Sequence, residues 1–102
     1  TAVSGSGPAY VFLLAECLAE AGRAAGLPPD LAARLARHTV SGSGELMHRS
    51  PELQPSQLRV NVTSPGGTTE AALGVLMADD GLKPLMQKAV AAAVARARAL
   101  AG

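Results

Sequence analysis

An all-α fold, a bundle of about five helices, is what this sequence predicts, and three observations predict it. Ala, the strongest helix former, occupies 21 of the 102 positions. Almost nothing alternates with the period of two that a half-buried strand requires. Apolar residues instead recur at three- and four-residue spacing between stops rich in Pro and Gly. The same composition bears on packing. Only Tyr10 and Phe12 are aromatic, so the core has to be assembled from small side chains. A chain of this length buries about 60 to 70% of its unfolded surface, and Ala contributes little area per residue. A lone copy would be marginal, and association with further copies is the expected remedy. At about 100 to 200 residues per domain, residues 1–102 read as one domain.

The elements follow in order. After the Ser/Gly-rich entry that ends in Gly7-Pro8, a helix starts near Pro8, because the first turn of a helix does not need the missing Pro N–H. It runs through Tyr10, Val11, Phe12, Leu13, Leu14, Cys17, Leu18 and Ala21 to Gly26. Five consecutive apolar residues near its start exceed one core-facing stripe, so it should be covered on more than one side, in a bundle or a dimer. Gly26 suits a left-handed C-cap, and Pro28 and Pro29 prevent continuation. A second helix then presents Leu31, Leu35, Thr39 or His38, Gly42, Leu46 and Met47 at helical spacing. Its middle, Ser41-Gly42-Ser43-Gly44, costs about 1 kcal/mol per Gly relative to Ala. Either another helix backbone approaches closely there, or the helix breaks in two. Residues 50–66, with Pro51, Pro55 and Pro65, read as a connection enclosing a short helix around Gln57-Leu58-Arg59. A fourth helix starts within Ser64 to Glu70, passes Leu73, Leu76 and Met77, and stops at Asp79-Asp80-Gly81. The last runs from about Leu82 to Leu100, with Leu82, Leu85, Met86, Ala89, Val90, Ala93, Val94, Ala97 and Leu100 on one face. Arg96 and Arg98 suit the negative pole of its dipole.

Several function classes drop out. Nine Lys plus Arg against eight Asp plus Glu leave a formal charge of +1, without the clustered cationic excess of a nucleic-acid face. No apolar run of about 18 residues suggests a membrane span. The single Cys17 allows no internal disulfide and fits a reducing compartment, so the expected location is cytoplasmic. His38 and His48 stand ten apart with no Cys or carboxylate at ligand spacing, so no metal site is expected. Cys17 reads as a small core residue, and Glu16, Glu20 and Arg23 as the solvated or interface edge of the first helix. Ser4-Gly5-Ser6-Gly7 lacks the preceding strand of a phosphate loop and reads as a linker.

One segment can carry chemistry. In Thr63-Ser64-Pro65-Gly66-Gly67-Thr68-Thr69, Ser64 is a good N-cap and Pro65 a good N1 residue. The N3 position is then Gly67, where a capping box would place Glu or Gln. The first-turn N–H groups are left without that partner, and two glycines leave them unshielded at the positive end of the dipole. A carboxylate or phosphate fits such a site, with the hydroxyls of Thr63, Ser64, Thr68 and Thr69 around it. An ordinary Pro-Gly-Gly turn before a helix uses the same residues.

Three blocks resemble the C-terminal domain of the pyrroline-5-carboxylate reductase family: Thr1 to Tyr10, Gly26-Leu27-Pro28, and Val62 to Thr69 with its Ser-Pro-Gly-Gly motif. The resemblance extends over essentially the whole chain. It implies an all-helical domain that interlocks with its twin as a homodimer, and an enzyme that reduces 1-pyrroline-5-carboxylate to L-proline with NADPH or NADH, the last step of proline synthesis. Residue by residue, Ser64 resembles the serine whose hydroxyl binds the substrate carboxylate. Gly66, Gly67 and Thr68 resemble the segment whose backbone N–H groups complete that site. Thr69 resembles the threonine whose hydroxyl contacts the ring nitrogen, and it is the expected catalytic residue. Val62 and Thr63 line the same loop. As the resemblance has it, hydride passes from the nicotinamide to the carbon of the C=N bond; a hydroxyl is a poor acid, so Thr69 is assigned positioning. Two departures matter. The family's second helix carries bulkier or more helix-favouring residues where this chain has Ser41 to Gly44. No strand followed by Gly-x-Gly-x-x-Gly occurs, so the nucleotide is expected on a Rossmann domain outside these residues, with this chain inactive alone. The alternative is a non-catalytic helical module that only self-associates.

Overall fold

The computed structural model describes all of residues 1–102 as five helices without a strand. In chain order they are α1 (Gly7–Ala24), α2 (Pro29–Arg49), α3 (Pro55–Asn61), α4 (Thr68–Leu76) and α5 (Leu82–Ala101). The all-α expectation and the helix count are met. No helix is long and apolar enough to cross a membrane. The chain divides into two compact units, Ser6–Leu53 and Thr1–Gly5 with Gln54–Gly102.

The first unit is the α1–α2 hairpin. Pro8 lies in the first turn of α1, as its lost N–H allows. The helix ends two residues before Gly26, which adopts φ +112°. Gly26 N–H donates to the Arg23 carbonyl and Leu27 N–H to the Gly22 carbonyl, both at 3.0 Å. This pair of bonds is a Schellman cap, and the left-handed residue it needs is the one Gly supplies without a Cβ clash.

The hairpin closes on small residues. Ala32 and Ala36, one turn apart on α2, are only 3% and 6% exposed, and no other residue of the chain is buried as fully. A Cβ added to Gly22 would stand 3.5 Å from the Ala32 Cβ and 3.3 Å from Leu27 Cδ1. The expected inward stripe of α2 is therefore corrected. Leu35, Leu46 and Met47 are exposed, and the face that meets α1 carries Ala32 and Ala36 with Val40 half-buried. The approach of α1 is too close for Leu, so distance rather than hydrophobicity selects the residues. The possible break at Ser41–Gly44 is also absent, because α2 is continuous through it. Beyond the local helix backbone, nothing in the same unit lies within 4 Å of a Cβ placed at Gly42 or Gly44. The close approach expected there is not made within the α1–α2 hairpin.

In the second unit, α3 begins at Pro55, and its Gln57 side chain donates to the Asn61 side chain at 2.7 Å, one turn on. α4 and α5 are separated by Asp79-Asp80-Gly81. There Gly81 N–H donates to the Ala78 carbonyl at 2.8 Å, and a Cβ on Gly81 would lie 2.2 Å from the Leu76 carbonyl oxygen. Only Gly fits this turn. Along α5 the predicted face is half realised. Val90, Ala93, Val94 and Ala97 are half-buried, whereas Leu82, Leu85, Met86 and Leu100 remain exposed.

Candidate functional site

The segment singled out in the sequence, Val62 to Thr69, connects α3 to α4, and its hydrogen bonds build it in three steps. Where α3 ends, Thr63 turns back on it, its N–H donating to the Val60 carbonyl at 3.1 Å and its hydroxyl to the Arg59 carbonyl at 2.6 Å. Ser64 to Gly67 then form a β-turn, closed by the Gly67 N–H on the Ser64 carbonyl at 3.0 Å. Pro65 takes the position its ring favours, and Gly66 the next one at φ +72°, the left-handed conformation that a type II turn demands. Gly67 is extended and caps α4, its carbonyl accepting the Ala71 N–H at 3.2 Å.

This geometry moves the helix start. Ser64 is not the N-cap; Gly67 is. The Ser-Pro pair that suits N-cap and N1 also suits the first two positions of a turn. Gly66 decides between them, because its positive φ cannot continue into a right-handed helix. The unshielded donors shift accordingly. The first-turn N–H groups without an intrahelical acceptor belong to Thr68, Thr69 and Glu70, and Gly67 has no side chain with which to cap them. These donors and the positive pole of α4 stand three residues later than a helix capped by Ser64 would have placed them.

The site residues differ in what they offer. Ser64, Gly66, Thr68 and Thr69 are exposed and Val62 is 65% exposed, so their polar groups face solvent. Thr63 is half-buried and its hydroxyl is already committed to Arg59. Two groups escaped the sequence reading. Glu70 stands in the first turn of α4, where its negative charge competes with any anion for the same donors. Arg59 supplies the acceptor for Thr63, and its guanidinium donates to Met77 Sδ at 3.6 Å. The i, i+4 spacing of Arg59 and Thr63 was a signal of this contact. An apolar groove of about 990 Å³ runs along α4 and α5, lined by Leu73, Leu76, Leu82, Met86 and Val90 with Arg59 and Lys83 at its edge. None of Val62 to Thr69 lines it. No cluster of three or more His, Cys, Asp or Glu side chains is placed to hold a metal.

The family model described as pyrroline-5-carboxylate reductase dimerisation matches residues 1–100. The chain belongs to the pyrroline-5-carboxylate reductase family. It is 46% identical over 101 residues to the pyrroline-5-carboxylate reductase of Pseudomonas aeruginosa, covering 99% of this chain and 36% of that protein. Against the pyrroline-5-carboxylate reductase of Pisum sativum it is 48% identical over 100 residues, 98% of this chain and 36% of that one. Among solved structures, the pyrroline-5-carboxylate reductase of Coxiella burnetii superposes with a TM-score of 0.89 at 47% identity, over 97% of this chain and 36% of its own. The Plasmodium falciparum pyrroline carboxylate reductase, solved with NADP bound, superposes with a TM-score of 0.90 at 38% identity, over 100% of this chain and 38% of its own. The chain thus spans a little over a third of the length of the pyrroline-5-carboxylate reductases it matches.

Proposed function

We propose that this chain is the helical domain of a cytoplasmic pyrroline-5-carboxylate reductase, supplying the substrate-carboxylate loop and the surface on which two copies associate. The observation that carries the first half is the loop itself. A solvent-facing turn, Ser64 to Gly67, delivers the chain into a helix whose first N–H groups are uncapped, in a member of a reductase family whose substrate carries a carboxylate. On this reading the Ser64 hydroxyl and the N–H groups of Gly66, Thr68 and Thr69 bind the carboxylate of 1-pyrroline-5-carboxylate. Gly67 keeps the turn tight and spends its own N–H inside it. The Thr69 hydroxyl, at the second position of α4, orients the ring nitrogen, which finishes the reaction as the amine of L-proline. Reduction of the C=N bond needs NADPH or NADH. Five helices without a strand contain no dinucleotide-binding βαβ unit, so these residues do not fit the nucleotide. Their work is to hold and orient the substrate.

The second half rests on exposed apolar side chains. Nineteen large apolar side chains are exposed, including four in succession on α1, Val11, Phe12, Leu13 and Leu14. A homodimer buries such faces, and Gly42 and Gly44 on the continuous α2 leave room for a neighbouring backbone.

Calorimetric titration of a proline-like ring carboxylate into the reductase carrying this segment tests the site. Saturable binding is expected, weakened by about tenfold in Ser64→Ala, the effect of one hydrogen bond to a charged group. An enzyme that binds no ring carboxylate, or binds it equally well without the Ser64 hydroxyl, would leave only a self-association module.

A further inference from the structure

The carboxylate loop is tied to the helix before it by a single residue. Thr63 stands one residue beyond Val62, the C-cap of α3, and it places two donors, its N–H and its hydroxyl, on the Val60 and Arg59 carbonyls at 3.1 and 2.6 Å. These carbonyls belong to the last turn of α3, where no further helical N–H is available to meet them. The next residue is Ser64, whose carbonyl closes the turn on Gly67. Thr63 is half-buried where Ser64, Gly66, Thr68 and Thr69 are exposed, and its branched side chain has few rotamers to choose from. Arg59 is held in turn at the other end of α4, by its guanidinium on Met77 Sδ at 3.6 Å. The stretch from Thr63 to Met77, which begins with the loop, is therefore fastened to one residue of α3 at both ends.

We infer that Thr63 is a positioning residue of the substrate loop: its hydroxyl, engaged on the Arg59 carbonyl, fixes where the Ser64–Gly67 turn stands and does not itself touch the carboxylate. This rests on the reading of Ser64 to Thr69 as the carboxylate loop, and it separates Thr63 from the hydroxyls that bind. The pin acts on the free enzyme. A loop that is already in place spends less of its binding free energy on ordering, so losing the pin raises KM while leaving the chemical step alone.

Two variants of the reductase carrying this segment decide the point. Thr63→Val keeps the shape and removes the hydroxyl; Thr63→Ser keeps the hydroxyl. Thr63→Val should raise KM for 1-pyrroline-5-carboxylate about fivefold, one net hydrogen bond, with kcat within about twofold. Thr63→Ser should restore KM. Without substrate, the Thr63 and Gly67 amides should exchange with solvent faster in Thr63→Val. An unchanged KM, a Ser variant as impaired as the Val variant, or a fall in kcat at constant KM would overturn the assignment, the last by putting the hydroxyl on the reacting atoms. The exchange measurement keeps the two readings apart. Faster exchange in a protein that reduces no pyrroline-carboxylate would uphold the pin and refute the carboxylate loop. Unchanged exchange would refute the pin whatever the activity.

Discussion

Thr69 and Gly66 carry the sharpest expectations at the scale of single residues. Thr69 lies exposed in the first turn of α4, where Ala is at least as good a helix former. Thr69→Ala should therefore leave the melting temperature unchanged or slightly raised while lowering kcat on the order of tenfold, one oriented hydrogen bond at the reacting nitrogen. Steady-state kinetics beside a thermal melt checks both, and unchanged kinetics would remove Thr69 from the reaction. Gly66→Ala acts differently. At φ +72° an added Cβ costs about 1 to 2 kcal/mol, so a denaturant titration should show that loss together with a raised KM. The uncapped helix start in this loop was legible in the residues, because Pro-Gly-Gly brings no side chain that could cap the first turn of α4. Its register was not. Ser64-Pro65 satisfies both an N-cap and a turn, and the conformation of Gly66, which sequence leaves free, selects the turn.

For the helices and their junctions, glycines of the same composition have opposite roles. Gly26, at φ +112° in the cap of α1, should cost about 1 to 2 kcal/mol when changed to Ala. Gly22→Ala meets only the flexible end of Leu27 at 3.3 Å and the Ala32 methyl at 3.5 Å, and the gain in helix propensity offsets the crowding. Gly22→Ala should therefore stay within about 1 kcal/mol of the parent in urea unfolding; a larger loss than that of Gly26→Ala would contradict the hairpin geometry. Gly81→Ala should be the most damaging of the three, since its Cβ would fall on the Leu76 carbonyl. Helix ends were readable because Gly, Pro and their neighbours act locally. The inward face of α2 was not, because periodicity ranks Leu35 above Ala36 while the spacing of α1 and α2 admits only the smaller residue.

Taken whole, the molecule buries two alanines and exposes most of its large apolar side chains. Its Ala-rich composition announced a core of small residues, and the apolar run on α1 announced more than one covered side. What the sequence could not convey is how little of that cover comes from the chain itself. Charge placed on the exposed run should expose the dependence: Phe12→Asp, at a side chain 68% exposed here, would be innocuous in a monomer. In a dimer it should weaken association by at least about tenfold, as burial of an unpaired carboxylate costs several kcal/mol. Dilution series followed by circular dichroism would read that shift, since the helices of an obligate dimer melt at temperatures that depend on protein concentration. The central claim, that these five helices complete their core against a second copy, is tested most directly by sedimentation equilibrium of the chain at micromolar concentration. A mass of two chains or a multiple of it is predicted; a well-folded species of one chain's mass would contradict the account.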